Sequence, residues 1–79
     1  MIVEIITPDK EIFSGNASLI QLPGMDGLFE ILENHAPMVA ALQKGKIKLI
    51  SEDKTIFFEI KGGVMEVIKN KVQVLAQYK

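Results

Sequence analysis

Seventy-nine residues without a cysteine suffice for one domain and leave no disulfide framework, thiolate nucleophile or sulfur-ligated metal within it. Lys and Arg number 9 against 10 Asp and Glu, a formal net charge of -1, which argues against a strongly basic nucleic-acid surface. The hydrophobic fraction of 48% is ordinary for a folded domain, but so short a chain buries only about 60% of the surface it exposes when unfolded, so an efficient β core or a stabilising partner is expected.

Glu4 interrupts the first apolar stretch and no basic residue precedes it, so no secretory signal is predicted and the mature chain is expected to begin at Met1. Ile2 to Thr7 is rich in β-branched residues and ends at Pro8, which cannot donate to a ladder. Asp9 and Lys10 turn the chain, and Glu11 to Ser14 resumes until Gly15, giving an N-terminal hairpin. Ala17 to Leu22 forms a third strand. Pro23-Gly24 and Asp26-Gly27 then make two closely spaced turn signals, since proline presets φ and glycine takes positive φ freely. Leu28 to Leu32 reads as a fourth strand, with Phe29 and Ile31 on one face and Leu28, Glu30 and Leu32 on the other.

The segment Pro37 to Lys44 is ambiguous. A proline suited to a first helical turn, several alanines and Gly45 as a stop favour a short helix, but its length is marginal without tertiary packing. The longest apolar run, Ala36 to Leu42, falls short of the roughly 18 residues of a membrane span, so any work at a membrane would be peripheral. Beyond it, Lys46 to Ile50 and Thr55 to Ile60 form a hairpin around Glu52-Asp53-Lys54. Gly62-Gly63 breaks the pattern, and Val64 to Ile68 and Val72 to Ala76 form another hairpin around Lys69-Asn70-Lys71. The pattern predicts an all-β fold, a flattened antiparallel sandwich or barrel of roughly eight to ten short strands.

Chemistry is sparse. Asp26, Glu30, Glu33 and the single histidine, His35, lie within ten positions, yet Glu30 and Glu33 have opposite parity on a strand and point to opposite faces. His35 has no cysteine and no serine in a GxSxG context to activate. Gly24, Gly27, Gly62 and Gly63 form neither a dinucleotide fingerprint nor a phosphate loop. No cofactor, metal or small-molecule substrate is expected. Glu30 and Glu33 read as solvated or partner-facing, and the apolar Met25, Leu28 and Leu32 in or beside a tight loop suggest a protein contact.

Three stretches in order, EIITPDKEIFSG (Glu4 to Gly15), LPGMDGLFEILENHAPMVAALQKG (Leu22 to Gly45) and GGVMEVIKNKVQVLA (Gly62 to Ala76), resemble the N-terminal β-domain of the epsilon subunit of F-type ATP synthases, called delta in mitochondria. The resemblance covers essentially the whole chain as one domain, residues 1–79, and draws the segment after Pro37 towards extended structure. It implies a non-catalytic rotor subunit of the central stalk, peripheral on the cytoplasmic side of a bacterial inner membrane. Its partners would be the gamma subunit and the ring of c subunits. Carried over by position, Gly24, Met25, Asp26, Gly27 and Leu28 would face the c ring, and Thr7, His35 and Ala40 would lie towards gamma.

The chain departs from the family pattern at Glu30, where glycine is common, at Glu33, where proline is common, and at Leu28, often an acid. The C-terminal helical hairpin that in many relatives restrains ATP hydrolysis is not expected, the sequence ending after its last strand. Two other readings stand beside this one: a free-standing β-sandwich interaction module, and a small metal enzyme using Asp26, Glu30 and His35.

Overall fold

Alternation of period two, carried almost from end to end, builds a two-layered fold. The computed structural model describes residues 1–78, and those residues form nine strands: β1 (Ile2–Ile6), β2 (Glu11–Asn16), β3 (Leu19–Gly24), β4 (Gly27–Leu32), β5 (Met38–Leu42), β6 (Gly45–Ser51), β7 (Lys54–Ile60), β8 (Gly62–Ile68) and β9 (Lys71–Gln77). Val3 and Ile5 of β1, Ile47 and Leu49 of β6, Met65 and Val67 of β8, and Val72 and Val74 of β9 are all essentially removed from solvent. Each pair is two apart, so one face of each of these strands supplies the core.

The strand order is β2-β1-β9-β8-β5-β3-β6-β7, with β4 on the free side of β3. Between β5 and β3 the ladder shrinks to a single pair, Gly24 opposite Leu42. The sheet folds over at this point. The strands β2-β1-β9-β8-β5 make one layer, β4-β3-β6-β7 make the other, and the apolar faces of both merge in one buried cluster. On the far side, the two terminal strands of the order meet through Phe13 and Phe58, whose rings stand edge to face at 6.1 Å. The Ser51 hydroxyl adds a bond to the Asn16 carbonyl at 2.6 Å.

The fold-over corner explains how a proline survives in a strand. Pro23 lies opposite Leu28, one step from the Gly24–Gly27 pair that closes a two-residue hairpin. Such a position alternates with the hydrogen-bonded ones, so no ladder bond to β4 is lost there. Its carbonyl accepts the Gln43 N–H at 2.8 Å, and the Gln43 amide donates to the Gly24 carbonyl at 2.7 Å.

Several expectations are revised. Pro23-Gly24 does not turn the chain but ends β3, and the turn is made by Met25-Asp26. β2 runs through Gly15 to Asn16, and Ala17 lies ahead of β3. Gly62-Gly63 opens β8 rather than breaking the pattern. The segment after Pro37 is the extended β5, because its backbone pairs with β8 from Met38 to Leu42, and ladder bonds plus burial outweigh the helix preference of two alanines. One pairing is not antiparallel: β1 runs parallel to β9.

The β6–β7 and β8–β9 hairpins turn through Glu52-Asp53 and Lys69-Asn70, all four with φ between 51° and 64°. Paired positive φ is what the twist of a two-residue hairpin requires. Glycine is demanded more strictly at Gly63, where φ is 151° and an added Cβ would lie 2.4 Å from the Leu75 carbonyl oxygen; Gly27 has φ of 125° but open space around it. Gly63→Ala is expected to cost more than about 2 kcal/mol, against about 1 kcal/mol for Gly27→Ala. Urea unfolding of the two variants side by side checks this, and equal losses would refute the role given to the Leu75 contact.

Candidate interaction surface

The β3–β4 hairpin carries the exposed apolar residues that the sequence singles out. Inward Phe29 and Ile31 leave Leu28, Glu30 and Leu32 facing out, as the parity predicts. Met25 and Leu28 are 62% and 66% exposed, and Leu32 is also exposed. Between the two leucines, Glu30 accepts a bond from the Gln21 amide at 3.2 Å. The hairpin tip is held by the Met25 N–H on the Ala41 carbonyl, 3.2 Å. Of the five loop residues expected at the c ring, Met25, Asp26, Gly27 and Leu28 are exposed, whereas Gly24 is buried in the corner.

Thr7, His35 and Ala40 do not converge. Thr7 is 8% exposed, and its hydroxyl closes the β1–β2 turn by donating to the Lys10 carbonyl at 2.9 Å and accepting the Lys10 N–H at 3.1 Å. His35 stands exposed at the other end of the sandwich, in the β4–β5 connection, with Nδ1 2.7 Å from the Ala36 carbonyl oxygen. Ala40 turns to the core side of β5, half-buried, in a shallow cleft with Met25, Leu28, Phe29 and Met38. It therefore belongs with the hairpin, and its neighbours Val39 and Ala41 are the outward residues of β5.

Pairing registers expose a second apolar surface. Ile6, Leu75, Val64 and Ala41 stand side by side across β1, β9, β8 and β5, a row about 14 Å long at the usual strand spacing. Glu4, Gln73, Glu66 and Val39 form the next row, and Val39 is 67% exposed. Thr7 adjoins the Ile6 end of the first row. Sequence reasoning attended to the buried phase of these strands. The signal for the outer surface was apolar residues in both phases, Val64 and Ile68 beside Met65 and Val67.

The remaining acids have other employment. Asp26 and His35 sit at opposite ends of β4, a strand about 20 Å long, and Glu30 faces out between them, so these three cannot share a metal ion. Among the described residues no three His, Cys, Asp or Glu side chains gather. Glu33 is half exposed but not unpaired. Its carboxylate pairs with the Met1 α-ammonium and accepts the Asn70 side-chain N–H at 3.0 Å, while Asn70 Oδ1 accepts the Asn34 N–H at 2.7 Å. The hydrogen bond from the Met1 ammonium, then that from Asn70, holds the Glu33 carboxyl below its ordinary range, with the ammonium's charge adding to a shift that desolvation opposes.

Residues 1–78 match the family model for the ATP synthase delta/epsilon chain, beta-sandwich domain. The chain belongs to this family. The ATP synthase epsilon chain of Chlorobium limicola is 45% identical over 76 residues, spanning 95% of this chain and 86% of that one. The epsilon chain of Pelotomaculum thermopropionicum is 42% identical over 74 residues, but there the match spans 55% of the relative. Among solved structures, a chain of the Euglena gracilis mitochondrial ATP synthase superposes with a TM-score of 0.90 at 22% identity, covering 96% of this chain and 49% of that one. A chain of the Tetrahymena thermophila mitochondrial ATP synthase central stalk and c-ring gives 0.84 at 20% identity, covering 98% of this chain and 63% of that one. These likenesses show the shared sandwich. Epsilon chains are non-catalytic stalk subunits of the ATP synthase complex.

Because the folded-state carboxyl of Glu33 is held low, its contribution to stability is fully present above the ordinary carboxylate range and is lost as pH falls through the depressed value. Glu33→Gln is thus expected to lower the urea midpoint at neutral pH and to show a narrowing gap from wild type at a pH below the ordinary carboxylate range. Parallel urea titrations at the two pH values measure it.

Proposed function

We propose that the chain works as an epsilon-type rotor subunit, a single β-sandwich domain over residues 1–79 that links gamma to the c ring and helps couple ion flow to ATP synthesis. It would do so peripherally, on the cytoplasmic side of a bacterial inner membrane, with no catalytic group or small-molecule substrate of its own. The observation that carries this reading is the rigid hairpin with Met25 and Leu28 held in solvent. A soluble surface rarely spends so prominent a tip on apolar side chains unless something covers them.

In this reading Met25, Asp26, Gly27 and Leu28 meet the c ring, and Gly24 acts from beneath by setting the hairpin against Leu42. Gamma takes the outer surface of β1, β9, β8 and β5. Thr7 marks one margin of that surface and His35 the opposite end, while Val39 and Ala41, rather than the inward methyl of Ala40, make the contact on β5. An apolar row flanked by Glu4, Gln73 and Glu66 has the make-up of an interface core with a polar rim. Relatives carrying an acid at the Leu28 position would meet a basic c-loop group by charge; here the leucine would pack instead.

Two variants separate the surfaces. Leu28→Lys is expected to leave the fold within about 0.5 kcal/mol of wild type while lowering ion-coupled ATP synthesis in the assembled enzyme; unchanged coupling would remove the hairpin from the c-ring contact. Val64→Glu is expected to reduce co-elution with gamma. If the wild-type chain binds neither gamma nor the assembled complex, the rotor reading falls and the interaction-module reading takes its place.

A further inference from the structure

Three rows of side chains cross the outer surface of β1, β9, β8 and β5. Ile6, Leu75, Val64 and Ala41 form one, apolar throughout, and Glu4, Gln73, Glu66 and Val39 form the next. Beyond these, Ile2, Lys71 and Ile68 stand side by side, with both isoleucines exposed. The polar row thus has apolar side chains on either side of it. A molecule seated on Val64, Val39 and Ile68 must cover Glu66 as well. The two acids of that row differ in their company. Glu4 Oε1 lies 3.6 Å from Lys71 Nζ and accepts the Gln73 Nε2–H at 3.4 Å, so its charge is met within the chain. Among the described residues no ion pair reaches Glu66. It borders a hollow of about 220 Å³, floored by buried Met65 and walled by Val39, Val64, Leu75 and Gln73. In water an exposed carboxylate needs nothing more; beneath an apolar partner it does.

Resting on the reading that gamma takes this surface, we propose that Glu66 is the receptor for a basic side chain of gamma, an arginine, laid in this hollow. Covering an ionised carboxylate without a counter-charge is strongly unfavourable. The one lysine on the surface, Lys71, is committed to Glu4, so the partner must bring the cation. The hollow selects its form. An arginine's aliphatic stem can lie along Val39, Val64 and Leu75, and its planar head can give two parallel N–H bonds to the carboxylate. Gln73, whose Nε2 is engaged with Glu4, still offers Oε1 as an acceptor. A lysine ammonium would bring the charge but not the fork. The pairing would also fix orientation: apolar rows alone tolerate sliding, whereas a single unmatched charge admits gamma in one register.

The test measures the affinity of the full chain for purified gamma in wild type, Glu66→Gln and Glu4→Gln. Glu66→Gln is expected to weaken binding by about tenfold or more, and Glu4→Gln by about threefold or less, because only Glu66 depends on the partner for its counter-charge. Wild-type affinity in Glu66→Gln would overturn the proposal and leave the rotor reading standing, whereas a wild-type chain that does not bind gamma would overturn both. Replacing gamma's arginines and lysines one at a time by glutamine then completes double-mutant cycles with Glu66→Gln. One arginine is expected to lose its contribution in the Glu66→Gln background. Additivity at every position would overturn the proposal, and coupling to a lysine instead would overturn the choice of arginine.

Discussion

The ladder between the two layers is one residue pair wide, Gly24 opposite Leu42, and most of what surrounds it makes that narrow connection workable. A ladder one pair wide resists little torsion by itself. The corner is therefore reinforced by bonds from Gln43 to the carbonyls of Pro23 and Gly24, and by close packing: a Cβ on Gly45 would come 2.8 Å from Pro23 Cβ. With the corner fixed, the apolar faces of both layers come together in one core. The opposite side can then close without a ladder, through Phe13 against Phe58 and the Ser51 hydroxyl on the Asn16 carbonyl.

This constraint also dictates where contacts with other molecules can lie. The corner directs β3 and β4 outward as a stiff hairpin, so that Met25 and Leu28 remain in solvent although they follow directly on buried Gly24. It leaves the outer side of β1, β9, β8 and β5 uncovered, because the second layer packs on the inner side only. The surfaces assigned above to the c ring and to gamma thus arise from a single folding-over of one sheet.

Much of the architecture could be read in the sequence because strand parity is a local property. Phe29 and Ile31 pointing inward, the hairpins around Glu52-Asp53 and Lys69-Asn70, and the strand count all follow from alternation and turn chemistry. What escaped was set by distant partners. Pro23 looked like a turn because its preset φ and the glycine after it suit one; only the hydrogen-bonding phase fixed by the Gly24–Gly27 closing pair makes it harmless within a strand. The stretch after Pro37 has local preferences for a helix and is extended because β8 supplies its ladder. Glu33 is exposed, as read from the sequence, but its two partners could not be seen there because Met1 and Asn70 lie 32 and 37 positions away in the chain.

The parallel pairing of β1 with β9 has a bearing on how the chain acquires its shape during synthesis. β1 leaves the ribosome first, yet its inner neighbour in the sheet extends to Gln77. Until those residues emerge, Val3 and Ile5 have β2 on one side and an open strand edge on the other, with core partners missing. The β1–β2 hairpin completes its sheet only when β9 is available, so this pairing joins strands from the two ends of the domain. A domain so wired is expected to fold only after nearly its whole length has been translated, and slowly for its size, since the loop that must close spans almost every residue it has.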